Sequence, residues 1–167
     1  MNKLEAFFDY ACPYCLRGHN YLLAVMPKFK NIEVVWRPCE AHPRPEKYGL
    51  HSDLCAMGMY YILENNADIM AYHEIMYDAA ITKKLDIENL GLISDLVSGL
   101  VDKKEFYNAI KSGKYSGLLK VNNETAWGMH NFSAVPSFVL NGRVLVSAEG
   151  IGVTEGMLEG FLRTACQ

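Results

Sequence analysis

At 167 residues, half of them hydrophobic and 21% charged, the chain has apolar surface enough for one domain, or one domain carrying an insertion, without disulfide staples. A formal net charge of -3 leaves no basic footprint for nucleic acid, and no run of like charges points to a membrane surface. No apolar stretch approaches the ~20 residues that span a bilayer.

Residues 3–8, KLEAFF, alternate weakly and end in two aromatics, which predicts a short strand entering a core. The same N-terminal run is interrupted by Glu5 and Asp9 and offers no small-residue cleavage site. It does not read as a signal peptide, so the chain is expected to fold in the cytoplasm. Leu16, Leu22, Leu23 and Met26 fit a helix from Pro13, which Pro27 stops. IEVVWR, residues 32–37, predicts a second strand closed by Pro38, and the proline-rich stretch 38–51 a loop. Ser52 or Asp53 caps a helix running to about Asn65, and helical patterns recur at 67–80, 89–100, 103–111 and 114–130. Asp102 and Glu105 mark the start of one of these. Strands return only at 137–140 and 143–148, flanking the hairpin signal Asn141-Gly142, and a closing helix follows over about 154–164. The order implies an α/β unit made of 1–51 and 131–167, with residues 52–130 as an all-helical insertion.

Cys12 and Cys15 bracket Pro13-Tyr14 where the first strand gives way to a helix. That places Cys12 at the N-cap, facing the free N–H groups of the first turn, which favour an anion. Its thiol pKa should drop from ~8.5 to roughly 4–7. Pro13 loses no hydrogen bond at the first helical position. Cys15, one turn inside, is the weaker acid. Zinc would need four ligands, and only Cys39-x2-His42 offers a second half. Cys39, Cys55 and Cys166 read as inert buried thiols, because five cysteines without framework spacing argue against structural disulfides. Val135-Pro136-Ser137 stands just before the hairpin, where a cis peptide would leave the Val135 backbone free to pair with an extended substrate.

CPYC after a first strand, together with FSAVPSFVLNGRVLVSAEG near the end, resembles the DsbA-like thioltransferase branch of the thioredoxin superfamily. VVWRPCEAHPRP is also similar to its FrnE-type members and to 2-hydroxychromene-2-carboxylate isomerases. The resemblance implies a thioredoxin fold with an inserted helical domain, with Cys12 as attacking thiol, Cys15 as resolving thiol and Pro136 as the cis-proline facing them. Val135, Pro136, Pro13 and Tyr14 would then touch the substrate. The implied activity is thiol–disulfide exchange with protein or small-molecule partners, without resident cofactor or metal; glutathione is a possible reductant. Ala134 replaces the glycine frequent before Val-Pro. Tyr14 replaces the histidine of periplasmic enzymes, which implies a milder oxidant.

A glutathione-dependent transferase or isomerase, a metal or iron–sulfur carrier through Cys12, and a redox-inactive binding module are the alternatives. Serine at the first cysteine position is the rule for the first of these, and Cys12 departs from it. Tyr10 reads first as a packing residue and second as a wall of the groove; His19 reads as a partly buried helix residue before a proton relay. Glu5 reads as a strand-edge surface residue, with a proton acceptor for Cys15 as the alternative. Met57, Met59, Met70 and Met76 read as core before an adaptable substrate surface.

Overall fold

The computed structural model describes residues 1–165. Cys166 lies outside the described residues. Four strands form one sheet in the order β2-β1-β3-β4. β1 (Asn2–Phe8) and β2 (Ile32–Pro38) run parallel, joined through helix α1 (Pro13–Val25) and a short 3-10 turn at Met26–Lys28. β3 (Ser137–Leu140) lies antiparallel on the other side of β1, pairing Leu4 with Leu140 and Ala6 with Phe138. β4 (Arg143–Leu145) returns through Asn141 and Gly142, whose φ of 51° and 76° is the paired left-handed backbone that a tight hairpin requires.

The residue alternation of β1 assigns the two faces. Leu4 and Ala6 join Phe138, Leu140, Leu22 and Val25 in one buried cluster, which is closed by Leu158 and Leu162 of the C-terminal helix. Glu5 and Phe7 point the other way. Phe7 meets the rings of His130 and Phe132 edge-on.

Between β2 and β3 the chain is helical: α2 (Asp53–Glu64), α3 (Ile69–Tyr77), α4 (Leu90–Leu96), α5 (Lys103–Lys111) and α6 (Ser116–Asn123). The C-terminal helix is α7 (Glu155–Ala165). α2 is central to the inserted helices and buries Cys55, Ala56, Met57, Met59, Tyr61 and Ile62. Three acceptors set the starts of its neighbours: Asp68 for α3, Asn89 for α4 and Asp102 for α5, each taking backbone N–H groups of the first turn. The architecture is a thioredoxin fold with an all-helical insertion.

The helices are shorter than their apolar patterns suggest. α3 widens into a π turn at Asp78–Thr82 and α6 into another at Glu124–Met129. β4 stops at Leu145 rather than at Ala148, because the chain leaves the sheet there. The Ser147 hydroxyl donates to the Pro136 carbonyl at 2.5 Å, and Ala148 bridges to Gly152 instead. No helix of the described residues is long and apolar enough to cross a membrane.

Candidate active site

β1 delivers the chain to the dithiol, and α1 begins directly beneath it. Cys12 is the N-cap, extended at φ -103° and ψ 117°, with Pro13 next in the helix. Its side chain forms no capping hydrogen bond. The thiol points instead at the Val135 carbonyl, 3.7 Å away, across 123 positions of sequence. Cys12 is partly exposed, whereas Cys15 is buried, and the Asp9 backbone N–H donates to the Cys15 sulfur at 3.4 Å.

The two thiols are pushed in opposite directions. A hydrogen bond from the Cys15 thiol lowers the Cys12 pKa below its ordinary value; backbone N–H groups of Cys15 and Tyr14 add to this, against burial and the charge of Asp9. Burial pushes the Cys15 thiol well above its ordinary value, and the Cys12 sulfur pushes it further. Cys39 and Cys55 are also buried and raised, chiefly by desolvation, and the Cys39 thiol donates to the Phe8 carbonyl.

The Val135–Pro136 peptide is cis, and Pro136 packs against α1. A Cβ on Gly18 would meet Pro136 Cγ at 2.6 Å, so only glycine allows this approach. Two grooves meet here, sharing Tyr14 and Val135 as a common wall. One, of 390 Å³, is lined by Cys12, Tyr14, Glu40, Trp127 and Val135. The other, of 320 Å³, is lined by Tyr14, Ser133, Val135, Glu149 and Gly152. Pro13 and Tyr14 are exposed at the helix start, and Arg17 stacks on the Tyr14 ring. A larger concavity of 760 Å³, between α1 and α3, lies away from the dithiol.

Other candidates land elsewhere. Tyr10 is fully buried under α3 and shares a 2.9 Å hydrogen bond with His73. His19 is buried in the same aromatic cluster with Trp36, His73 and Tyr77, where burial holds its pKa at about 4. Glu5 lies on the inner strand β1 and not at a sheet edge, bound to Arg37 on β2 (Nε to Oε1, 3.1 Å). Met57, Met59 and Met76 are core, while Met70 is one-third exposed. Cys39 and His42 do not converge: His42 turns to Glu46 at 3.0 Å. Among the described residues no three His, Cys, Asp or Glu side chains gather as a metal site would require.

Sequence reasoning missed Asp9. Its buried carboxylate accepts from Ala11 N and Ala41 N, both at 2.8 Å, tying the turn before the dithiol to the loop after β2. Burial raises its pKa, and the two backbone N–H groups oppose the rise. An acid three positions before Cys12, at the end of an apolar strand, was the available signal.

A family model described as thioredoxin matches residues 1–153. The uncharacterized protein YwbO of Bacillus subtilis is 22% identical over 91% of this chain and 93% of its own length. Among solved structures, the probable DsbA oxidoreductase of Streptomyces coelicolor superposes with a TM-score of 0.81 at 14% identity, covering 99% of this chain and 90% of that one. The DsbA oxidoreductase of Xylella fastidiosa superposes with a TM-score of 0.73 at 15% identity, covering 99% and 85%. These likenesses establish a DsbA-like fold.

Proposed function

The chain belongs to the thioredoxin family, and from that premise we propose that it is a thiol–disulfide oxidoreductase working through Cys12 and Cys15. One observation carries the reading. Two neighbouring thiols are driven apart in acidity, and the more acidic one is the more exposed and lies beside a carbonyl of the Val135-Pro136 turn.

The Cys12 thiolate attacks one sulfur of a substrate disulfide. A Cys12–substrate bond forms, the substrate S–S bond breaks, and the second substrate sulfur leaves as a thiolate. Cys15, once deprotonated, attacks the Cys12 sulfur and releases the first substrate sulfur. The protein is left with a Cys12–Cys15 disulfide, and two electrons have passed to the substrate. Run backwards, the same steps oxidise a substrate dithiol. Val135, Pro136, Pro13 and Tyr14 frame the place where the substrate sulfur must approach. Partners are protein or small-molecule thiols and disulfides, in the cytoplasm, with no resident cofactor and with glutathione as an external reductant.

Thiolate absorbance across a pH titration should rise below the range of an ordinary cysteine, and Cys12→Ser should remove that step. Cys15→Ser expressed in cells should retain adducts on Cys12 that reductant releases, while Cys12→Ser retains none. A Cys12 that titrates like a free thiol, or stays unmodified under mild oxidant, would sink the mechanism.

A further inference from the structure

Glu40 follows β2 and forms part of the wall of the groove that holds Cys12. It is 6% exposed. Asn123 Nδ2 donates to its Oε2 at 2.8 Å, and Asn123 Oδ1 in turn accepts the Glu40 backbone N–H. Trp127 Nε1 donates to the Glu40 carbonyl at 2.9 Å. Among the described residues Oε1 has no hydrogen-bond partner, and the carboxylate is in no ion pair. The residue is largely buried, yet Oε1 keeps its contact with solvent, so a cation or a donor entering the groove can reach an oxygen that no protein group occupies.

The surrounding charges do not supply one. No lysine or arginine lines this groove. The nearby guanidinium groups are engaged: Arg37 with Glu5, Arg44 with Asp53 and Glu88. Arg17 lies on the far side of Tyr14, stacked on its ring and donating to the Ile151 carbonyl. Asp9 and Asp53 add negative charge around Glu40. Trp127, partly buried, presents an aromatic surface in the same groove, a second favourable neighbour for a cation.

We propose that the groove between Cys12, Glu40 and Trp127 is a subsite for a lysine or arginine side chain of a substrate polypeptide, next to the half-cystine attacked by Cys12. The inference deepens the thiol-exchange reading and rests on it for its biological meaning. It adds a selectivity that the dithiol alone does not impose: disulfides flanked by basic residues are preferred over neutral or acidic ones. An ammonium or guanidinium group also occurs on a free small thiol, since glutathione carries an amino group. The groove volume of 390 Å³ has room for a full basic side chain.

The test compares exchange rates for peptide disulfides differing only in lysine, norleucine or glutamate beside the half-cystine, and for glutathione disulfide. At low salt the lysine peptide should exceed the norleucine peptide in kcat/KM by about tenfold, and Glu40→Gln, which keeps an acceptor for Asn123, should bring that ratio close to one. Glu46→Gln, at an exposed site, should leave the ratio as it is. A second readout needs no exchange. In Cys12→Ser, the Trp127 indole N–H signal should shift on titrating an S-methylated lysine peptide, and this shift should vanish in Cys12→Ser/Glu40→Gln. An unchanged lysine-to-norleucine ratio in Glu40→Gln, or an indole shift that survives it, overturns the subsite. A Glu40 dependence seen with glutathione disulfide alone overturns the peptide assignment. Absence of exchange with every disulfide would refute the oxidoreductase reading, while the indole titration still decides the subsite.

Discussion

His73 shares a hydrogen bond with the Tyr10 hydroxyl through Nδ1, while its Nε2 is buried without a partner among the described residues. Desolvation holds its pKa at about 3, with the neighbouring His19 adding a little, and holds that of His19 at about 4. Both imidazoles are neutral in the fold and regain an ordinary pKa of 6.5 when the chain unfolds. Their contribution is therefore complete above pH 6.5 and is lost as the pH falls from there toward about 4 and about 3. The slope is about 1.4 kcal/mol per pH unit for each histidine. Asp9 and Glu40, raised by burial, act with the opposite sign, holding protons more tightly in the folded state. The difference between wild type and His73→Gln isolates one histidine. Urea denaturation from pH 7 to 4.5 should give a flatter pH dependence in the variant, and an identical slope would refute the assignment. The placement of Cys12, Cys15 and Pro136 was legible because each has a local signal: a spacing, a helix start, a proline before a strand. Asp9 and Glu40 were not readable. Their significance comes from burial, which is decided by helices that arrive from elsewhere in the chain.

Gly18 shows how one element holds another. It sits one turn past Cys15 on α1, and its missing Cβ lets the Pro136 ring settle onto the helix. Gly18→Ala should cost about 1–3 kcal/mol by overpacking and slow peptide exchange, because the Val135 carbonyl is pushed from Cys12. Gly160→Ala, on α7 with nothing within 4 Å of the new methyl, should be neutral or slightly stabilising. Equal stability of the two variants would show that the contact is soft. The strands, the Asn141-Gly142 hairpin and the capped start of α5 were legible because each is written in consecutive residues. The π turns at Asp78–Thr82 and Glu124–Met129 were not, since an apolar period of 3.6 does not register a widened turn. Nor was the early end of β4, which depends on Ser147 reaching the Pro136 carbonyl.

The molecule has two buried clusters, and they serve the dithiol from opposite sides. One joins α1, α7 and a face of the sheet; the other runs from the inserted helices through Tyr10 and Phe8 to Cys15. Because the second cluster includes Cys15 as well as the core of the inserted helices, the helical insertion and the turn bearing Cys12 and Cys15 should unfold together. In a Cys15→Ser/Cys166→Ser background, where no second thiol can displace the adduct from Cys12, an aromatic disulfide reagent should modify Cys12 at once, and Cys39 and Cys55 only at the rate of global unfolding. Early modification of Cys55, which is fully buried on α2, would show that the insertion opens independently. The span of 123 positions between Cys12 and Val135 has a consequence during synthesis as well. At ~5–20 residues per second, the Cys12 thiol is made on the order of 6–25 s before the turn that will flank it. For that interval Cys12 stands in the nascent chain without the Val135 carbonyl that its thiol faces in the fold, so nothing from the C-terminal part of the chain can yet shape its surroundings.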